Sequence, residues 1–205
     1  YYIREQQRKV PTIIVYLALM QAFQGGLTHA NIIYVNTVVN NVWSYDFSSS
    51  YPYVLLCRDY PSTPFVPLYL GKLDKYKRTH CIIYKITFTK LRSKYYNHYI
   101  AFSKLINVSG ERCIDNGRVV TLNGRAEMII TDIDFEIIKE AYECTYIIEF
   151  AWGSVKKPLD KKVAKFIIER YKVKTTLKGV EGQEEFYMKM KQELNSIFGM
   201  SCTNP

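Results

Sequence analysis

The chain has 205 residues, 48% of them hydrophobic and 18 of them tyrosine, which excludes wholesale disorder and allows one large domain or one and a half ordinary ones. Its 28 Lys+Arg against 19 Asp+Glu leave a formal charge of +9. That excess favours an anionic partner, nucleic acid or nucleotide first, although a generically basic soluble protein would carry it too.

From the N-terminus, Pro11 stands at a first-turn position of a helix running to about Gln24, and Gly25-Gly26 stop it. The apolar run TIIVYLALMQAF at 12–23 is too short for a membrane span and carries a glutamine, so it reads as a buried helix. No signal peptide is evident. A start at Tyr1 and an end on Ser-Cys-Thr-Asn-Pro read as a piece of something longer. Residues 32–45 (IIYV, TVV, NVWSYDF) read as two strands joined by a polar turn at Asn40-Asn41. YPYVLLCRDYP is apolar enough for a short helix or buried turn closed by Pro61, and the proline-punctuated loop PSTPFVP follows.

CIIYKITFTK at 81–90 alternates as a strand does. Residues 91–124 carry turn signals at Ser109-Gly110, Asn116-Gly117 and Asn123-Gly124 and fit hairpins with an inserted loop, RVVTL being one strand. TDIDFEIIKEAYE reads as a helix capped by Thr131 or Asp132, with acids in its first turn. CTYIIEFAW at 144–152 reads as a strand. LDKKVAKFIIERYK at 159–172 puts Leu159, Val163, Phe166 and Ile167 on one helical face. The charged loop KTTLKGVEGQ then leads to a last helix, EEFYMKMKQELNSIF, stopped by Gly199. No internal repeat is visible, and the order of elements predicts an α+β fold.

Five cysteines, at 57, 81, 113, 144 and 202, make no CxxC or zinc-knuckle spacing and read as reduced thiols of a cytosolic protein. His29, His80 and His98 are too scattered for a metal box. Two stretches carry chemistry. On the last helix, at about 100° per residue, Lys191, Asn195 and Phe198 share one stripe, with Phe186, Met190 and Ile197 on an apolar stripe turned away from it. An ammonium beside a ring suits a triphosphate and a stacked base, and a solvated lysine beside a helix-ending Asn-Ser has the same pattern. In SYDFSSSYP at 44–52, Asp46 would end a buried strand, where its carboxylate could meet magnesium and substrate phosphates. The turn after it would offer backbone N–H groups to a phosphate, with Tyr51 over the same site. A strand-end turn with a solvent-facing aspartate is the other reading.

SYDFSSSYP resembles the Asp-x-x-Ser-Leu-Tyr-Pro motif of family B DNA polymerases, and KQELNSIFG at 191–199 resembles their later Lys-x-x-x-Asn-Ser-x-Tyr-Gly motif. Upstream, FQGGLTH at 23–29 looks like the Tyr-x-Gly-Gly segment between exonuclease and polymerase domains, and the three occur in the family's order. The long insert between the two polymerase motifs is similar to the first terminal-region insertion of the protein-primed subgroup of phages and linear plasmids.

The resemblance implies an α+β palm and fingers fragment: a palm-like antiparallel sheet with packed helices, an inserted small α/β subdomain and a C-terminal fingers helix. Residues 1–75 would begin the palm, 76–158 would hold palm strands and the insertion, and 159–205 the fingers helices. Asp46 would be the catalytic and metal-binding carboxylate, one of two holding two Mg2+ ions. Tyr51 would be the steric gate against a ribose 2′-OH, and Phe47, Ser48, Ser49 and Ser50 would line the triphosphate. Lys191 would bind the incoming triphosphate, Asn195 and Phe198 would face the nascent base pair, and Lys174 in YKVKTT resembles a second triphosphate-contacting lysine. Phe23, Gly25, Gly26, Ser196 and Gly199 would contact DNA, the two glycines letting the backbone approach the template. Implied partners are template-primer DNA, deoxynucleoside triphosphates and a terminal priming protein, in the cytoplasm of a bacterial host or phage-infected cell and away from any membrane. Phe198 and Phe23 replace the family's tyrosines, each losing a hydroxyl, and Ser50 replaces its leucine.

The family's second carboxylate motif, Tyr-x-Asp-Thr-Asp, has a tempting counterpart in ITDIDFE at 130–136. That stretch precedes the lysine helix instead of following it, lacks the tyrosine, and would set Asp132 and Asp134 about 200° apart on a helix. Helix capping accounts for it better. The true motif is expected beyond Pro205 and no exonuclease motif precedes residue 23, so the chain alone is expected not to extend primers. The competing reading is a non-catalytic, DNA-binding remnant of a polymerase. An unrelated phosphotransferase is disfavoured, because no Walker-type glycine loop occurs.

Overall fold

A computed structural model describes the backbone of residues 12–27 and 32–201, and the side chains of these residues except 32 and 198–201. Its described residues form two compact units. One draws on Trp43–Ser62 and Lys156–Pro205, the other on Val10–Val42 and Thr63–Val155.

The second unit is built on an antiparallel sheet. Its strands are β2 (Val66–Pro67), β3 (His80–Ser93), β4 (Ile106–Asp115), β5 (Arg118–Thr131) and β6 (Tyr142–Pro158), of which Lys156–Pro158 belong to the first unit. They run in the order β6-β3-β5-β4, with β2 paired to β6. The period of two puts Ile82, Tyr84, Ile86 and Phe88 of β3 on one face. There they join Leu122, Met128 and Ile130 in a core closed by helix α4 (Asp132–Ala141) through Phe135 and Ile138, with the short helix α3 (Leu73–Lys77) packed on it through Leu73 and Tyr76. Thr131 caps α4 as its sequence predicts, accepting from the Asp134 N–H at 3.2 Å.

Against the other face lies α1 (Ile13–Ala22), which buries Val15, Ala18 and Ala22 on Ile83 and Trp152. The sequence predicts a buried helix here, and the structure corrects that: Ile13, Ile14, Leu17 and Met20 are exposed. A helix apolar all round does not reveal which stripe packs, and here it is the stripe of small residues, which lets the helix approach the sheet. Pro11, expected to open α1, lies outside the described residues, and Thr12 caps it, accepting from Val15 N at 3.3 Å.

Beside α1 on this face is a polar cluster. Glu127 on β5 receives Lys85 at 3.2 Å and Arg125 at 3.0 Å. Glu149 on β6 receives the same two side chains at 3.2 and 3.3 Å and the hydroxyl of Thr87. Burial alone would raise the Glu127 carboxyl, but hydrogen bonds from Lys85, Asn107 and Arg125 outweigh it and hold it below its ordinary value.

Two expectations from turn signals and β-branched residues fail. Of the three Gly-containing turn signals in 91–124, only Asn116-Gly117 makes the hairpin turn, both residues having positive φ. Gly110 and Gly124 instead face each other within the β4–β5 ladder, where a Cβ on either would strike the opposite backbone. Residues 32–45 form no strand: a 3-10 turn at Ile32–Tyr34 is followed by irregular chain with left-handed Asn36 and Asn41. β-branched residues suit a pleated surface, but a strand needs a pairing partner, and none of the described strands supplies one here.

In the first unit, α2 (Ser50–Cys57) leads into β1 (Asp59–Pro61), which pairs with the last three residues of β6. Two long helices follow, α5 (Lys161–Leu177) and α6 (Glu184–Ser201). Asp160 caps α5 by accepting from Lys162 N at 2.9 Å. Ile167 of α5 and Leu194 and Ile197 of α6 form the core, flanked by Leu55, Leu56, Leu159 and Val163. Arg170 Nε meets Glu193 Oε2 at 3.0 Å and its guanidinium lies 5.0 Å over the Phe166 ring, tying α5 to α6.

Three boundaries differ from expectation. KTT continues α5 to Leu177, and the loop begins only there, with Gly179 and Gly182 at positive φ. α6 runs through Gly199 instead of ending at it, since one glycine weakens a helix without forbidding it. Phe186, expected on the packed stripe, is 58% exposed, whereas Met190 and Ile197 are buried. Phe186 stands in the first turn of α6, outside the core centred on Leu194 and Ile197.

Candidate functional site

The site grows from one backbone feature. Ser49 adopts φ 57°, ψ 40°, a left-handed conformation that ends the irregular chain after Asp46 and starts α2. Its carbonyl accepts from Tyr53 N at 3.1 Å. Its hydroxyl accepts a hydrogen bond from Lys174 Nζ of α5 at 2.7 Å. The Lys174 ammonium also lies 5.1 Å from the centroid of the Tyr171 ring, one turn earlier on the same helix. Lys174 is half-buried, so its charge is held by two neighbours and not solvated freely.

Around this contact is a cavity of about 180 Å³. The turn and α2 line it with Asp46, Phe47, Ser49, Ser50, Tyr51 and Pro52, α5 with Lys174, and α6 with Lys191, Leu194 and Asn195. Lys191 and Asn195 are four apart on α6 and face the cavity from one stripe. Leu194 lines the cavity while its side chain is buried in the core with Ile167, so the core and the wall are one piece of packing. The charged groups are two ammoniums and one carboxylate, a balance that favours an anion.

The fold therefore brings together eight of the residues singled out in the sequence: Asp46, Phe47, Ser49, Ser50, Tyr51, Lys174, Lys191 and Asn195. Asp46 is exposed and stands in irregular chain, not at the end of a buried strand. Ser48 is exposed and does not line the cavity, and Ser196 turns its hydroxyl back onto the Glu193 carbonyl at 2.8 Å. The side chain of Phe198 lies outside the described residues, and Gly199 sits within α6. Phe23, Gly25 and Gly26 belong to the other unit. There the Phe23 carbonyl accepts from Lys104 Nζ at 2.5 Å, and both glycines have open space where a Cβ would stand. The sequence reading missed Pro52, Leu194 and Tyr171. Of these, Tyr171 stands three residues before Lys174, a spacing that becomes a signal only once both are known to lie on α5.

Among the described residues no three His, Cys, Asp or Glu side chains cluster as a metal cage. No described helix is long and apolar enough to cross a membrane.

Solved structures of Phi29 DNA polymerase share this fold. The orthorhombic crystal form of Phi29 DNA polymerase is 20% identical and matches 98% of this chain with a TM-score of 0.69. Phi29 DNA polymerase complexed with primer-template DNA and incoming nucleotide substrates is likewise 20% identical and matches 95% with a TM-score of 0.68. The match takes in 34% and 33% of those two chains, so this chain spans about a third of their length. The chain belongs to the family of type B DNA polymerases of organelles and viruses, whose pattern matches residues 2–205. No curated protein matches it.

Proposed function

We propose that the chain forms part of a template-directed DNA polymerase that adds deoxynucleotides to a primer 3′ end, and that its cavity takes the incoming triphosphate. One observation carries this reading: Asp46, Ser49 and Tyr51 of one polymerase motif line the same cavity as Lys191 and Asn195 of the other. In it, residues 1–75 begin the palm, 76–158 continue it with an insertion, and 159–205 form the fingers helices.

Six of the ten lining residues have a role in this reading. Lys174 and Lys191 neutralise triphosphate oxygens from two helices, and the Ser49 hydroxyl orients Lys174. Tyr51 presents its ring where a 2′-OH would sit, and Asn195 faces the base. The donor chemistry fits magnesium shared between Asp46 and the triphosphate, because that ion takes one or two carboxylates and fills its shell with phosphate oxygens and water. When bound, magnesium would activate the primer hydroxyl and neutralise charge on the leaving pyrophosphate.

The test is binding of dATP with magnesium and of a primer-template duplex by the purified chain and by Lys191→Ala. The reading expects Lys191→Ala to lose triphosphate binding by about tenfold or more, the worth of a charge-assisted contact, with DNA affinity nearly unchanged. Loss of DNA affinity alone, with a shallower salt dependence, would favour the non-catalytic DNA-binding reading.

A further inference from the structure

Lys174 is restrained from two sides. Ser49 Oγ accepts from its ammonium at 2.7 Å, and the Tyr171 ring lies beneath that ammonium at 5.1 Å. Tyr171 and Lys174 are three residues apart on α5, so they share a helical face, and the distance falls within the range of a cation–π contact. The neighbouring cation does not compete for this ring: Arg170 is engaged by Glu193 and lies over Phe166. The chemical nature of the two restraints matters. A carboxylate at either place would hold the lysine and also neutralise it. A ring and a hydroxyl hold it while leaving its charge available to an arriving anion.

We propose that Tyr171 is a positioning residue for the triphosphate site. Its ring fixes the Lys174 ammonium at the cavity wall before the ligand arrives, so the ordering of a long flexible side chain is not charged against binding. This rests on the nucleotide-binding reading above. The contact is made by the ring face and not by the phenol oxygen, so phenylalanine replaces tyrosine here and an aliphatic residue does not.

The experiment uses the full chain with Tyr171→Phe and Tyr171→Leu, and two readouts. The first is affinity for magnesium tripolyphosphate and magnesium dATP. Tyr171→Leu should weaken both about two- to fivefold, the worth of a partly exposed cation–π contact. Tyr171→Phe should match the wild type, and melting temperature and DNA affinity should stay put in both variants. The second is the NMR signal of the Lys174 ε-methylene, assigned through Lys174→Arg in lysine-labelled chain. It should be shifted upfield by the ring in the wild type and in Tyr171→Phe, and should move to the ordinary lysine position in Tyr171→Leu. An unshifted wild-type signal overturns the inference, and so does equal affinity in the wild type and Tyr171→Leu. An upfield-shifted signal in a wild type that binds no triphosphate overturns the nucleotide reading instead, and with it the triphosphate role, while the hold of the ring on Lys174 stands.

Discussion

Lys174 Nζ and Ser49 Oγ are 2.7 Å apart although 125 positions separate them in the chain. The bond joins the turn after Asp46 to α5 inside one compact unit, so each end of the site depends on the other. Lys174→Ala is expected to weaken magnesium dATP binding about tenfold, since hydrogen bonds to charged groups are worth about 1.5–3 kcal/mol. Ser49→Ala should weaken it less, and the two changes together should cost less than their sum. A double-mutant cycle by calorimetry measures the coupling. Strict additivity would mean that the hydroxyl does not orient the lysine.

The facing glycines of the β4–β5 ladder make a separate prediction about stability. Gly110 has φ +89°, and a Cβ there would collide with the Asn123 carbonyl and the Gly124 Cα. Gly117, with φ +73°, has nothing near its missing Cβ. Alanine at 117 therefore meets only the left-handed penalty, about 1–2 kcal/mol. Gly110→Ala carries the collision as well and should lower the urea midpoint more than Gly117→Ala. Equal shifts would mean that the strands do not approach closely at Gly110.

Acid should act on the polar cluster over the sheet. The Thr87 hydroxyl, with Lys85, holds the Glu149 carboxyl below its ordinary value of 4.5 against the opposing effect of burial. A group lowered by folding contributes stability that is present above its unfolded value and lost as pH falls through its folded value. Melting temperature should therefore fall with pH below about 4.5, the ordinary carboxylate region. Glu149→Gln should make that fall shallower without removing it, because Glu127 is lowered by the same cations. An unchanged slope in Glu149→Gln would show that the carboxylate is not engaged.

Much of the fold was legible where local chemistry and tertiary structure agree. The Thr131 cap, the alternation of β3 and the Asn116-Gly117 turn each read correctly because each is decided within a few residues. Residues 32–45 form no strand although rich in Ile, Val and Thr, because those residues report a preference and not the presence of a partner strand. The apolar residues of α1 leave no contrast between its faces, and a turn glycine and a close-approach glycine such as Gly110 or Gly124 look alike in sequence. At the candidate site, Asp46, Ser49, Lys191 and Asn195 could be named because they stand in two spaced motifs. Tyr171 could not, because taking KTT for a loop cut α5 short and hid the spacing that puts its ring under Lys174.

In the proposed reading, Asp46 would hold a divalent ion beside a triphosphate held by Lys174 and Lys191, all three residues lining the same cavity. The most direct measurement replaces magnesium with Mn2+ and follows its electron paramagnetic resonance signal in the chain with and without dATP. The account predicts that dATP makes the chain retain Mn2+, and that Asp46→Asn abolishes the retention while dATP alone still binds. Equal retention of Mn2+ by the wild type and Asp46→Asn would contradict it.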